Sequence, residues 1–136
     1  MNYNRRKILM VIHDELLAEL TEFRLSLLGY DTHVVRDGNT AVELVESSPP
    51  DLLIVCDDIQ DIGYIDLVNV IRNRSVNNHV PLIVFSTDAE LETVQRAFFA
   101  GANDYIITPY DPATLEAKIE DLLVTELRGP EKIGKS

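Results

Sequence analysis

The chain has one cysteine, no tryptophan and only 12 basic residues against 23 acidic ones. A single cysteine excludes an internal disulfide framework and any metal site built from several thiolates, and it is typical of a reducing compartment. The formal net charge of −11 argues against non-specific binding of nucleic acid through this domain, because phosphate backbones are attracted to basic surfaces.

Long hydrophobic runs are absent as well. No apolar stretch approaches the roughly 18 residues of a membrane span, so we expect no membrane contact. The start, MNYNRRKILMVIHDELL, has basic residues but too short an apolar run for a signal peptide. These features together predict a cytoplasmic protein.

Short apolar runs alternate with longer segments of helical period along the 136 residues. This alternation is typical of βα units stacked on a parallel sheet, and five such units are present. The sequence therefore predicts an α/β fold with a doubly wound, five-stranded parallel sheet between two helical layers. We expect residues 1–128 to form this single domain and residues 129–136 to form a polar tail or linker.

Several helix boundaries carry sequence signals. Thr87 and Glu90 fit a capping box for the fourth helix, and Asp111 before Pro112 predicts the start of the fifth. The first helix is predicted to end near Gly29 and to carry its apolar stripe on Leu16, Leu20, Phe23 and Leu27.

The chemistry of an open parallel sheet lies beyond the carboxyl ends of its strands. In this chain those ends are followed by residues 12–15, 56–61, 86–88 and 108–110. The segments KILMV, LLGYDTHVVRDGNTAVELV, PDLLIV, VPLIVFST and AGANDYIITPYDPATLEAKI occur in the order and spacing of one known family. Over about residues 6 to 127 the chain resembles the CheY-like receiver domain of two-component response regulators.

This resemblance implies a flavodoxin-like strand order, 2-1-3-4-5, and a role in signalling rather than an enzyme. It also implies protein contacts through the face formed by helix 4, strand 5 and helix 5. The partner would be a histidine kinase, an output domain or a second copy of the chain. On that face the resemblance points to Arg96, Phe98, Phe99 and Tyr105.

In that family an aspartate ending the third strand accepts a phosphoryl group, and an acidic pair after the first strand helps to hold Mg²⁺. A hydroxyl after the fourth strand and a lysine before a proline after the fifth bind the phosphoryl oxygens. The corresponding positions here are, in that order, Cys56, Ile12 with His13, Ser86, and Thr108 before Pro109.

Only Ser86 and Pro109 match the family pattern, and Gln60 replaces a further common proline. Phosphoryl transfer requires cations around the reacting oxygens, and Mg²⁺ prefers carboxylate ligands. Because Ile12 and Thr108 supply neither, the sequence predicts a degenerate pocket, with no metal or cofactor, in a pseudo-receiver that acts through protein contacts. The family's proline after the fifth strand commonly follows a cis peptide bond.

Two alternatives stay open. A relocated acceptor, Asp57, would use Mg²⁺ with Asp14 or Asp58, although a one-residue shift along a strand turns a side chain to the other face. Without such a site, these carboxylates and Asp61 would form a solvated acidic rim. The alternative from another class is a small flavodoxin-fold redox protein or enzyme that uses Cys56, with His13 beside it.

Two aromatic features concern the face for partners. Phe98 and Phe99 are adjacent, so only one of them is expected to face the core, and the other would anchor a partner or a second copy. Tyr105 falls where receivers carry an aromatic residue whose rotamer reports phosphorylation. With no phosphoryl group to bind, we expect Tyr105 to be locked in one state.

Overall fold

The computed structural model describes residues 5–74 and 79–128. Within this part of the chain, strands and helices alternate strictly. The predicted tail at residues 129–136 and the first four residues of the predicted domain lie outside the described residues. The elements are β1 (Lys7–Val11), α1 (Glu15–Leu27), β2 (Asp31–Val35), α2 (Gly38–Ser47), β3 (Leu52–Cys56), α3 (Tyr64–Arg74), β4 (Leu82–Ser86), α4 (Leu91–Ala100), β5 (Asp104–Ile107) and α5 (Pro112–Arg128).

The strands form one parallel sheet in the order β2-β1-β3-β4-β5, which confirms the predicted fold and strand order. Every residue of β3 and β4 is buried. Their unbroken apolar runs are those of central strands covered on both faces. The register pairs Cys56 with Phe85 and Ser86 with Ile107, so the carboxyl ends of three adjacent strands lie level with one another.

The core has two halves, one on each face of the sheet. Because side chains alternate along a strand, Leu53 and Val55 face α2, α3 and α4, whereas Ile54 and Cys56 face α1 and α5. This is the three-layer arrangement that the sequence predicts.

The prediction for the apolar face of α1 is wrong. Ala18, Thr21 and Leu25 are the buried residues of this helix. The hydroxyl of Thr21 lies 2.8 Å from that of Tyr110, so its burial leaves no unsatisfied polar group. The predicted stripe lies on the opposite side of the helix, with exposed fractions of 64%, 57%, 65% and 72% for Leu16, Leu20, Phe23 and Leu27.

Two predictions for α4 also fail. Glu90 is the N-cap but its side chain makes no capping bond, and the Asp88 carboxylate accepts from the Glu90 N–H and the Thr93 hydroxyl instead. Neither Phe98 nor Phe99 is buried, with exposed fractions of 44% and 95%. The fully buried Ala97 occupies the position against the core, which leaves its two larger neighbours to solvent.

Aspartates cap α1 and α5. Asp14 caps α1 by accepting from the Leu17 N–H at 2.8 Å. Asp111 caps α5 by accepting from the Thr114 N–H at 3.0 Å, as predicted. Short polar side chains before a helix satisfy N–H groups that have no partner within the helix.

Candidate functional site

The residues at the receiver positions meet at one edge of the sheet. Ile12, Cys56, Ser86 and Thr108 follow or end β1, β3, β4 and β5, and all four are buried. The Thr108 N–H donates to the Ser86 carbonyl at 2.9 Å, which continues the strand pairing past the end of β5. The peptide bond between Thr108 and Pro109 is cis, as the resemblance implied.

Cys56 and Ile12 belong to the apolar half-core on the α1 and α5 face, together with Met10, Ile54 and Phe85. Cys56 is 2% exposed and Ile12 is fully buried. Burial raises the pKa of the Cys56 thiol far above its ordinary value, and the negative charges of Asp58 and Asp57 raise it further. The thiol is therefore neutral at physiological pH, and the neutral form is a poor nucleophile.

Asp57 lies one residue beyond Cys56, where alternation directs its side chain to the other face. Its carboxylate accepts a hydrogen bond of 2.8 Å from the Ser86 hydroxyl and one of 3.3 Å from the Thr87 N–H. Its backbone N–H donates to the Phe85 carbonyl, so Asp57 keeps the register of β3. Ser86 is the one polar residue of the site that matches the family pattern, and its hydroxyl thus binds a carboxylate of its own chain.

Asp58 connects the loop after β3 to the loop after β1. Its carboxylate accepts from the backbone N–H groups of His13, at 3.0 Å, and Asp14, at 2.8 Å. The Arg36 guanidinium donates to the His13 carbonyl through Nε, at 2.8 Å, and through Nη2. The segment at the family's acidic-pair positions is therefore fixed by hydrogen bonds to its backbone N–H and carbonyl groups.

The three candidate carboxylates for a relocated site each accept hydrogen bonds from this chain. Asp14 binds its own helix, Asp57 binds Ser86, and Asp58 binds the loop after β1. Among the described residues, no group of three or more histidine, cysteine, aspartate or glutamate side chains is arranged to hold a metal ion.

Asp61 closes the acidic loop onto α2. Its two carboxylate oxygens accept from the N–H groups of Gly38 and Asn39, each at 2.9 Å. Hydrogen bonding to the backbone, that of Gly38 first, lowers the pKa of Asp61. A Cβ at Gly38 would lie 2.4 Å from Cγ2 of Ile62, so any larger residue at this position would displace Ile62. Much of the predicted acidic rim is thus bonded to backbone.

A chain of hydrogen bonds leads from this edge to Tyr105. The Asp88 N–H donates to the Ser86 hydroxyl oxygen at 3.0 Å, and the Tyr105 hydroxyl donates to the Asp88 carbonyl at 2.7 Å. Tyr105 is 9% exposed, so its ring is turned inward. The inward ring does not contribute to an exposed contact surface.

Tyr64 is a member of this cluster that the sequence reasoning missed. Burial raises its pKa to about 12, and the neighbouring Tyr105 raises it further. The sequence could have indicated Tyr64, because this residue begins α3 directly after the acidic loop.

The other residues predicted for the partner face lie on the surface. Arg96 and Phe99 are exposed on α4, and Phe98 and Ile107 are exposed by 44% and 41%. In residues 5–74 and 79–128, no helix is long and apolar enough to cross a membrane.

Known proteins share this sequence pattern and fold. The DNA-binding response regulator MtrA of Mycobacterium tuberculosis is 31% identical over 119 residues, which cover 88% of this chain and 51% of MtrA. The chain thus spans about half the length of the curated relatives it matches.

Two solved structures share the fold at lower identity. A CheY-like receiver domain protein from Methanospirillum hungatei superposes with a TM-score of 0.85 at 23% identity, covering 93% of this chain and all of the other. The receiver domain of a sensor histidine kinase from Pseudomonas aeruginosa, with a magnesium ion in its active site cleft, gives 0.81 at 24%, covering 88% and 98%.

The family comparison covers most of the chain. Residues 8–120 match the response regulator receiver domain, a range that begins at the second residue of β1 and includes the other four strands and the edge described above. Receiver domains are signalling modules of two-component systems, and this chain belongs to the response regulator receiver domain family.

Proposed function

We propose that this chain is an atypical receiver domain that is not phosphorylated and that signals through protein contacts. The observation that carries the proposal is the burial of Cys56 beside Ile12 in the apolar half-core. Phosphoryl transfer requires a nucleophile, a metal and positive charge around the transferred group. The corresponding positions hold a neutral thiol, an alkyl side chain and the uncharged Thr108.

The contacts of Ser86 support a domain held in one state. In family members the hydroxyl at this position binds a phosphoryl oxygen, whereas here it donates to Asp57. The same hydroxyl oxygen accepts from Asp88, whose carbonyl binds Tyr105. The Asp57 carboxylate thereby replaces a phosphoryl oxygen as the hydrogen-bond acceptor of Ser86. Tyr105 stays inward although no residue is phosphorylated.

The proposed contact surface is the face formed by α4, β5 and α5. Phe99 is 95% exposed on α4, and Phe98 of the same helix and Ile107 of β5 are partly exposed. Exposed aromatic residues of this kind anchor protein interfaces. The proposed occupant is a histidine kinase or an output domain, since curated relatives such as MtrA are about twice as long.

A phosphorylatable receiver that uses Asp57 is the main competing function. The observation in its favour is that Asp57 is only partly buried and lies beside Ser86. It requires Mg²⁺ held by a second carboxylate, and both Asp14 and Asp58 would have to give up backbone hydrogen bonds to supply one.

Amide NMR distinguishes these functions. The chain is titrated with Mg²⁺ and then with beryllofluoride, a phosphoryl mimic, with the magnesium-binding Pseudomonas receiver domain as positive control. We expect no saturable shifts at Asp57, Ser86 or Tyr105. Saturable, Mg²⁺-dependent shifts at these residues would overturn the proposal in favour of the relocated site.

Reversion tests the same point by gain of function. We expect a variant with Ile12→Asp, His13→Asp, Cys56→Asp and Thr108→Lys together to respond to Mg²⁺ and beryllofluoride, and Cys56→Asp alone not to respond. A response from the single variant would show that metal binding had never been lost.

Alkylation tests the redox or enzymatic alternative. Because Cys56 is buried and its thiol is neutral, iodoacetamide should modify it far more slowly in the folded chain than in urea. Equal rates in the two conditions, with the fold intact, would favour a reactive cysteine.

A further inference from the structure

The outward face of α1 carries an uninterrupted row of large apolar side chains. We name this row, Leu16, Leu20, Phe23 and Leu27, the α1 seam. Each of its members is more than half exposed. An open apolar cleft borders the seam, lined in part by Pro109, Tyr110 and Pro112. A row of four large side chains on one helix is more than the scattered apolar exposure that is normal on a protein surface.

The spacing of the seam is that of a coiled coil. Its members are separated by four, three and four residues, which are the d-a-d-a positions of a heptad. With Leu20 and Leu27 at a, the buried Ala18 and Leu25 fall at f, opposite the seam. The helix can therefore pack on its own sheet and on a second helix at the same time.

The charges beside the seam identify the second helix. Glu19 falls at position g and Arg24 at position e, five residues later. In a parallel pair of identical helices, a g residue faces the e residue five positions further along in the other helix. Glu19 of each copy would then face Arg24 of the other, twice by symmetry.

Arg24 is available for this contact. It already pairs with the Glu116 carboxylate at 3.4 Å, but the two side chains are 43% and 35% exposed, and an exposed ion pair contributes little to stability, so Arg24 can exchange this partner for Glu19 of a second copy. An antiparallel pair would instead place g beside g and e beside e, which separates Glu19 from Arg24. The charge pattern therefore favours the parallel arrangement.

We propose that two copies of this chain associate through their α1 seams, with the two helices parallel about a two-fold axis. A surface that is complementary to itself gives a closed dimer. The proposal does not depend on whether the chain is phosphorylated. Stable interfaces bury about 800 Å² per partner, more than four side chains supply, so we expect a Kd between about 1 μM and 1 mM.

Sedimentation equilibrium of the full chain over this concentration range tests the association. We expect a monomer–dimer equilibrium that Leu20→Glu weakens by at least about tenfold. The matched control is Asn69→Glu, which places the same charge at an exposed position of α3, on the other side of the sheet from α1, and should leave the Kd unchanged. The proposal is overturned if the chain stays monomeric up to about 1 mM, which is the result expected if the seam binds a different protein. A dimer that Phe99→Glu weakens and Leu20→Glu does not weaken would form through α4, and it too would overturn the proposal.

Cysteine crosslinking tests the parallel orientation. In a parallel pair position a of one helix lies beside position a of the other, so Leu20→Cys should form a disulfide-linked dimer with oxidised glutathione. The control Glu15→Cys is exposed on the same helix but off the seam and should not crosslink. The native Cys56 is buried and should not compete. Crosslinking of Leu20→Cys only to a Phe23→Cys chain would show an antiparallel pair and overturn the proposal.

Discussion

The carboxylate of Asp58 accepts a hydrogen bond of 3.0 Å from the backbone N–H of His13, 45 residues earlier in the chain. A second oxygen of the same carboxylate binds the N–H of Asp14. This single side chain connects the loop after β3 to the loop after β1 at the carboxyl ends of the strands.

Asp58→Ala should destabilise the domain by about 1–3 kcal/mol, because it removes a charged acceptor from two backbone donors. Urea unfolding measures the loss. The control is Glu46→Ala, an exposed position near the end of α2, which should change stability by less than about 0.5 kcal/mol. Equal effects of the two substitutions would contradict the role assigned to Asp58.

Ser86→Ala should shift the NMR signals of both Asp57 and Tyr105, since Ser86 bonds to Asp57 and to the residue that holds Tyr105. The expected cost in stability is about 1–2 kcal/mol. Thr87→Ala is the matched control, because its N–H contact with Asp57 survives the substitution. If the Tyr105 signals stay in place in Ser86→Ala, Ser86 and Tyr105 are not coupled.

Cys56→Asp should lower stability more than Cys56→Ala does. The aspartate would enter the half-core beside Ile12, where an unpaired carboxylate costs several kcal/mol or takes up a proton, whereas alanine loses about 1–2 kcal/mol of packing. Chemical denaturation at neutral pH compares the two. An aspartate variant as stable as the alanine variant would mean that the pocket is open to water.

Asp61 should make stability depend on pH. Because backbone hydrogen bonds lower its folded-state pKa below the ordinary 3.8, its contribution is present above pH 3.8 and is lost as the pH falls through the folded-state pKa. Asp61→Asn should therefore cost up to about 1 kcal/mol near pH 6, a modest value because the carboxylate is exposed, and the difference should shrink in acid. Glu43→Gln, also exposed, is the control. A difference that does not change with pH would contradict the assignment.

Gly101→Ala should destabilise more than Gly29→Ala. Both glycines have a positive φ, 125° and 96°, so alanine is strained at either position by about 1 kcal/mol. At Gly101 the added Cβ would also lie 2.5 Å from Cγ of Arg72, whereas at Gly29 nothing lies within 4 Å. The difference between the two unfolding free energies isolates the contact with Arg72. Equal losses would show that Arg72 moves aside freely.

The fold was predictable from sequence because its signals are local. Unbroken apolar runs identified β3 and β4, and Asp111 identified the start of α5. The choice of core face failed on α1, where four large apolar residues are exposed while Ala18 and Thr21 face the sheet. Local periodicity identifies an apolar stripe, but it does not say whether that stripe packs on its own sheet or lies exposed.

The site was predictable in position but not in its bonds. The ends of parallel strands meet at one edge, which brought Ile12, Cys56 and Ser86 together as expected. The hydrogen bonds from the Ser86 hydroxyl to Asp57 and from the His13 N–H to Asp58 link residues 29 and 45 positions apart. Such partners depend on tertiary geometry, and no sequence spacing encodes them.

The hydrogen bond between Asp57 and Ser86 forms within a single chain, so its occupancy does not depend on the supply of any phosphoryl donor. It also has no covalent bond that would hydrolyse and reset it. Under the proposed function, the strength of the output would follow the number of chains present, and its duration would follow their lifetime in the cell. Synthesis and proteolysis would then set the timing that a kinase and a phosphatase set elsewhere.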